Sequence, residues 1–184
     1  VNPVLAQDAD SKALFPLPQS GETFVLKRDG IDFEGTLPRG QKLWGRGNLF
    51  LSSKRIVFVA CERSGREDFK SFEVPLGTLR EPGFEQPIFG ANYLRGGALP
   101  SSDASPEAIA FLAGQPVPFS LTFNCGGCGT FLPLFFQLLH QAQEQQEQTG
   151  DGVAQAAQEG RLSQVAYVDP SDPSVLYLSH PRAE

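Results

Sequence analysis

"FSLTFNCGGCGTFLPLFFQLLHQA", residues 119–142, changes its hydrophobic period partway along, and that change sets the fold. Through Phe119, Leu121 and Phe123 the apolar residues alternate, as in a strand with one buried face. From Thr130 onward, Phe131, Leu134, Phe135, Leu138, Leu139 and Ala142 fall on one face of a helix, with His140 opposite them. Thr130 is the expected N-cap. Pro133 is tolerated because first-turn amides have no intrahelical partner. The helix continues as "QAQEQQEQ" and stops at Thr149-Gly150.

Between the two periods lies Cys125-Gly126-Gly127-Cys128-Gly129. The C-x-x-C spacing serves thiol redox sites, which begin helices as this one does, and zinc knuckles. A zinc site needs about four ligands. The rest of the chain offers only Cys61, His140 and His180. The preferred reading is structural: glycines that let the chain turn sharply, with small thiols filling space. No metal ligand and no catalytic residue is assigned.

Upstream, the pattern is strands and turns. "TFVLKR" and "IDFEG" flank Asp29-Gly30, a dipeptide suited to a tight hairpin turn. "KLWGRGNLFLSS" and "RIVFVA" form a second hairpin around Ser52 to Lys54. "DFKSFEVPL", "TLREPGF", "PIFGANYL" and "FSLTFN" add further extended pieces, for about seven antiparallel strands. The fold expected is mainly β, a small barrel capped by one C-terminal helix whose apolar stripe plugs an open end.

The organisation expected is an irregular lead-in over 1–20, a domain over 21–149 with an insertion at 96–118, and a C-terminal tail over 150–184. Inside the insertion, Ser105, Pro106 and Glu107 read as the cap and first turn of a short helix stopped by Gly114. The tail holds two apolar patches, "QVAYV" and "SVLYL", separated by "DPSDPS". Two such patches are expected to dock, either on this domain or on a partner. Tyr167, Val168, Leu176 and Tyr177 are the candidate anchors.

The charge is uneven. Residues 1–95 carry 13 Lys/Arg against 12 Asp/Glu, whereas residues 96–184 carry 2 against 9. Direct nucleic-acid binding is therefore disfavoured. A local anion site is left open by the basic cluster at 36–70, where Lys42, Arg46, Lys54 and Arg55 are candidate contacts for a phosphorylated headgroup. The longest apolar stretch, Phe131 to Leu139, is too short to span a bilayer. Three cysteines and no secretory signal point to a reducing compartment. The location expected is intracellular, cytoplasmic first, with nuclear and peripheral-membrane sites left open. No G-x-S-x-G elbow, phosphate loop or H-E-x-x-H occurs, so an enzyme is not expected and no cofactor is implied.

Five stretches, "FVLKRDGIDFEG" (24–35), "GNLFLSSKRIVFVA" (47–60), "FEVPL" (72–76), "QPIFGANYLRG" (86–96) and "GGCGTFLPLFF" (126–136), together resemble the GRAM-domain family related to WW-domain-binding protein 2, especially its plant and algal members. "AYVDPSDP" in the tail is similar to some plant-type members as well. The resemblance implies a pleckstrin-homology-like fold, with "GGCGTF" as the last turn into the capping helix and no catalytic role for its cysteine. Animal members bind WW domains through P-P-x-Y motifs, and this chain has no Pro-Pro pair. The function expected is a non-catalytic adaptor or structural binding module that contacts protein partners, alone or within a larger assembly. Peripheral anionic-lipid or phosphoinositide binding is the alternative, and a nuclear coactivator role follows from family analogy alone.

Overall fold

A computed structural model describes residues 3–9, 12–65, 69–101 and 104–147, with the short strands at 167–168 and 176–177. The chain divides into two units, Val1–Leu139 and His140–Glu184.

The first unit is built on one seven-stranded antiparallel sheet. Its strands are β3 (Phe24–Thr36), β4 (Lys42–Ser52), β5 (Arg55–Gly65), β6 (Ser71–Pro75), β7 (Arg80–Glu85), β8 (Tyr93–Ala98) and β9 (Val117–Phe123). They lie in the order β6-β5-β4-β3-β9-β8-β7. The sheet curls into a half-barrel rather than closing. Among the described residues β6 and β7 are its edges and do not pair with each other. Helix α2 (Cys128–Glu147) follows β9. A curled antiparallel sheet and one C-terminal helix are the pleckstrin-homology-like architecture expected from the sequence.

The core follows from strand parity. Ile31 and Phe33 on β3, Leu49 and Leu51 on β4, Ile56 and Phe58 on β5, and Phe119, Leu121 and Phe123 on β9 are all buried. Phe33 stacks on Phe58 at 5.1 Å and meets Phe72 of β6 at 4.8 Å, centroid to centroid. Helix α2 adds a stripe of Cys128, Phe131, Phe135 and Leu139, all buried. Phe131 lies 5.0 Å from Phe123 and 5.4 Å from Phe135. Of the apolar face read from sequence, Leu134, Leu138 and Ala142 are only half-buried, and Cys128 joins it.

Four local readings are corrected. Asp29-Gly30 is not a hairpin turn: β3 runs through it, with a register shift between Arg28 and Ile31. Gly30 takes a φ of +69°, as a glycine-dependent bulge requires, and the Cys125 Sγ fills the space its Cβ would occupy. Thr130 is not the N-cap of α2, because the first helical bond runs from Phe131 N to Gly127 O (3.1 Å). Gly126 and Gly127, both at positive φ, complete the turn three residues sooner than the apolar pattern suggests. The lead-in is not wholly irregular: β1 (Leu5–Gln7) and β2 (Leu14–Pro16) form an antiparallel hairpin. Finally, the 96–118 stretch is not all insertion, since β8 extends to Ala98. It does contain α1 (Pro106–Leu112), capped by the Ser105 side chain, which accepts from Ala108 N at 3.3 Å.

In the second unit the two tail patches pair with each other. β10 (Tyr167–Val168) and β11 (Leu176–Tyr177) are antiparallel, Tyr167 opposite Tyr177 and Val168 opposite Leu176. What this pair covers lies outside the described residues. His140 is exposed and makes an i,i+4 pair with Glu144 at 3.2 Å.

Candidate functional site

Alternation along β5 puts Ile56 and Phe58 into the core and turns Arg55 and Val57 to the other face. In the register of β5 and β6, Glu73 stands opposite Val57 and so shares that face. In a bare sheet these polar side chains would be solvated. Here β2 packs against β5, and the whole of β6 is buried. Burial on both faces is what draws charged groups into the interior.

The result is an ionic cluster. Arg55 is 3% exposed and Glu73 5%. Arg55 Nε donates to Glu22 Oε1 at 2.7 Å and Nη2 to Glu22 Oε2 at 2.9 Å, a bidentate pair. Nη2 also donates to the Leu17 carbonyl at 2.8 Å. Nη1 faces Glu73 Oε2 at 3.2 Å. Glu22 further accepts from Ser52 Oγ at 2.6 Å and from the Gln19 amide at 2.6 Å. The cluster ties residues 17–22 to the sheet.

The two carboxylates have different surroundings. Burial works to raise Glu22, but hydrogen bonds from Arg55 and Ser52 outweigh it and hold the carboxyl below its ordinary value. Burial pushes Glu73 up, and the attraction of Arg55 offsets this only in part. Burial also works against the Arg55 charge, yet its two glutamates hold it above the ordinary value.

Above the cluster opens a cleft of about 910 Å³. One wall is the N-terminal segment, with Val4, Leu17 and Pro18, and the other is α1, with Ala108, Phe111 and Leu112. Phe69, Phe72 and Val117 line it more deeply, and Arg55 and Glu73 also contribute to its lining. Its rim is apolar and open to water: Val4 is 70% exposed, Leu17 41% and Phe111 50%. Size, apolar lining and a few convergent polar groups are the usual attributes of a binding site.

The structure does not bring the four basic candidates together. Lys42 and Arg46 are exposed on β4, but Arg46 is engaged by Asp32 in a bidentate pair at 2.7 and 3.0 Å. That pair lowers the Asp32 carboxyl and raises the guanidinium. Lys54 lies beyond the far end of β4, roughly 30 Å of extended chain from Lys42. Its Nζ donates to the Ser20 carbonyl at 2.6 Å. Arg55 is in the interior cluster. The side chains of Tyr167, Val168, Leu176 and Tyr177 fall outside the described residues.

Sequence reasoning missed Glu22, Glu73 and the cleft. Glu73 sits in "SFEVP", where alternation reads it as solvent-facing. The only signal against that was the chain bringing Leu14 to Pro16 over β5, which periodicity does not reveal. All three cysteines are thiols, Cys128 buried and Cys61 and Cys125 exposed. Among the described residues no three His, Cys, Asp or Glu side chains converge as metal ligands would. Nor is any described helix long and apolar enough to cross a membrane.

No family model matches the chain. It is 31% identical over 109 residues to a UPF0664 stress-induced protein of Schizosaccharomyces pombe, covering 58% of each. It is 26% identical over 125 residues to WW domain-binding protein 2 of Homo sapiens, covering 66% of this chain and 44% of that protein. It is 33% identical over 129 residues to the postacrosomal sheath WW domain-binding protein of Bos taurus, covering 66% of this chain and 37% of the relative. The matched segment thus spans between about a third and three fifths of these relatives' own lengths. The chain is a distant homologue of WW domain-binding protein 2 and of the UPF0664 stress-induced protein.

Proposed function

We propose that the chain is a non-catalytic binding module of the GRAM type, whose scaffold presents the cleft between the N-terminal hairpin and α1 to a protein partner. The observation that carries this reading is the apolar rim. Val4, Leu17 and Phe111 stand in water around a buried floor. Covering such a rim releases free energy at about 25 cal/mol per Å² of apolar surface. Relatives named as WW domain-binding proteins support a protein as the occupant.

The test is affinity capture with the full chain, a Leu17→Asp, Phe111→Asp double variant and a chain lacking residues 150–184. Circular dichroism first establishes that each is folded. Proteins retained by the full chain and the shortened chain, but lost from the double variant, are the expected outcome. Retention by the double variant would overturn the reading, and loss on shortening alone would move the binding surface to the tail. Flotation with anionic vesicles provides the counter-test. Salt-sensitive flotation lost on Lys54→Glu would replace the partner reading by peripheral lipid binding.

A further inference from the structure

The sheet carries an apolar knob at one end and the apolar cleft at the other. The knob is the loop joining β7 to β8, closed where Glu85 pairs with Tyr93. Every residue from Gln86 to Gly90 is exposed, and Ile88 and Phe89 are 93% and 91% exposed. No charged residue lies between Glu85 and Arg95. Gly90, at a φ of +114°, makes the turn directly after the apolar pair. This loop leaves β8 at Tyr93, opposite Thr122 of β9. The cleft lies past the other end of the same two strands, where Ala98 pairs with Val117 and where Val117 and Ser101 line it. About 17 Å of β8 separates the two ends. The knob therefore does not reach the cleft of its own molecule.

We propose that the cleft of one molecule accepts Ile88 and Phe89 of a second copy, so that the chain associates with itself head to tail. This inference rests on the reading of the cleft as a protein-binding site and names its occupant. Shape is the first argument: a narrow convex tip is presented by the same chain that presents a concave cleft of about 910 Å³. Polarity is the second. Among the described residues the one buried side-chain nitrogen or oxygen without a partner is Arg28 Nε, which does not line the cleft. The charged floor thus asks for no counter-ion, and an uncharged tip covers Val4, Leu17 and Phe111 without leaving a polar group unpaired. Geometry is the third. A contact between two different patches leaves one knob and one cleft free, so further copies can add. Two side chains bury on the order of 300–500 Å², well short of a permanent interface, so the association is weak and set by concentration.

Sedimentation velocity of the full chain, from about 20 μM to about 1 mM, is the first measurement. The average sedimentation coefficient should rise with concentration and pass that of a dimer without levelling. An Ile88→Asp, Phe89→Asp variant changes only exposed positions and should associate at least tenfold more weakly. A Leu17→Asp, Phe111→Asp variant should also stay monomeric, yet the two variants mixed should form a dimer and nothing larger, because one retains the cleft and the other the knob. Should the cleft variant fail to fold, the isotope-labelled tip variant replaces it. Unlabelled full chain should then shift its amides at Leu17, Ala108 and Leu112, and unlabelled tip variant should not. A monomeric full chain, association that survives in the tip variant, or a mixture that stays monomeric would each overturn the inference. So would association seen only after residues 150–184 are removed, which would make the tail the occupant of the cleft. Flotation on phosphatidylcholine vesicles that is lost with the tip variant, while the full chain stays monomeric, would overturn it in favour of a bilayer. A foreign protein held by the cleft of a monomeric chain would overturn self-association and leave the broader reading standing.

Discussion

A methyl group added at Gly30 would meet the Sγ of Cys125 and would have to adopt a φ of +69°. Gly30→Ala is accordingly expected to destabilise the fold by about 1–3 kcal/mol, measured as a lower urea midpoint. Adding Cys125→Gly should recover the part due to contact and leave the part due to backbone conformation. The ionic cluster predicts a pH dependence of both signs. Glu22 is held below the ordinary glutamate value of 4.5, so its stabilisation is present above that value and lost as pH falls through the lowered one. Glu73 is held above 4.5, so its contribution is greatest below that value and is lost as pH rises through the raised one. The urea midpoint should rise with pH on the acid side, where Asp32 also contributes, and then decline in the window directly above 4.5. Glu22→Gln should remove the Glu22 share of the rise, and Glu73→Gln should remove the decline. A midpoint that climbs through that window in the unaltered chain would contradict the assignment. None of this was legible from residue types: Asp29-Gly30 reads as a turn, and Glu73 reads as exposed.

At the scale of elements the sequence says more. The switch of period near Phe123 located β9 and α2, because burial on one face leaves a repeat of two in a strand and of 3.6 in a helix. Ser105 and Gly114 bracketed α1 because caps are local chemistry. What the period could not place was the exact helix start, which glycines at positive φ decide, or the number of separate strands on either side of Gly30. The packing of α2 is carried by Phe131 and Phe135, both fully buried. Phe135→Ala should cost about 3–5 kcal/mol, seen as loss of cooperative thermal unfolding at lower temperature. Phe136, half exposed beside it with its ring 5.2 Å from that of Phe135, should cost less on alanine substitution, about 1 kcal/mol.

For the whole molecule, a mainly β architecture with a terminal helix was readable because seven alternating segments admit few arrangements. The cleft was not, because it arises where three distant segments meet: the N-terminal hairpin, β6 and α1. Such a site has no signature along the chain, and its charged floor is visible only once β2 is seen to lie on β5. The loop between β7 and β8 leaves Ile88 and Phe89 adjacent and 93% and 91% exposed. Two neighbouring oily side chains at a hairpin tip are what a phenyl-substituted chromatography matrix grips. Retention on such a resin therefore gives a label-free gauge of whether that tip is bare or occupied in any preparation of the protein.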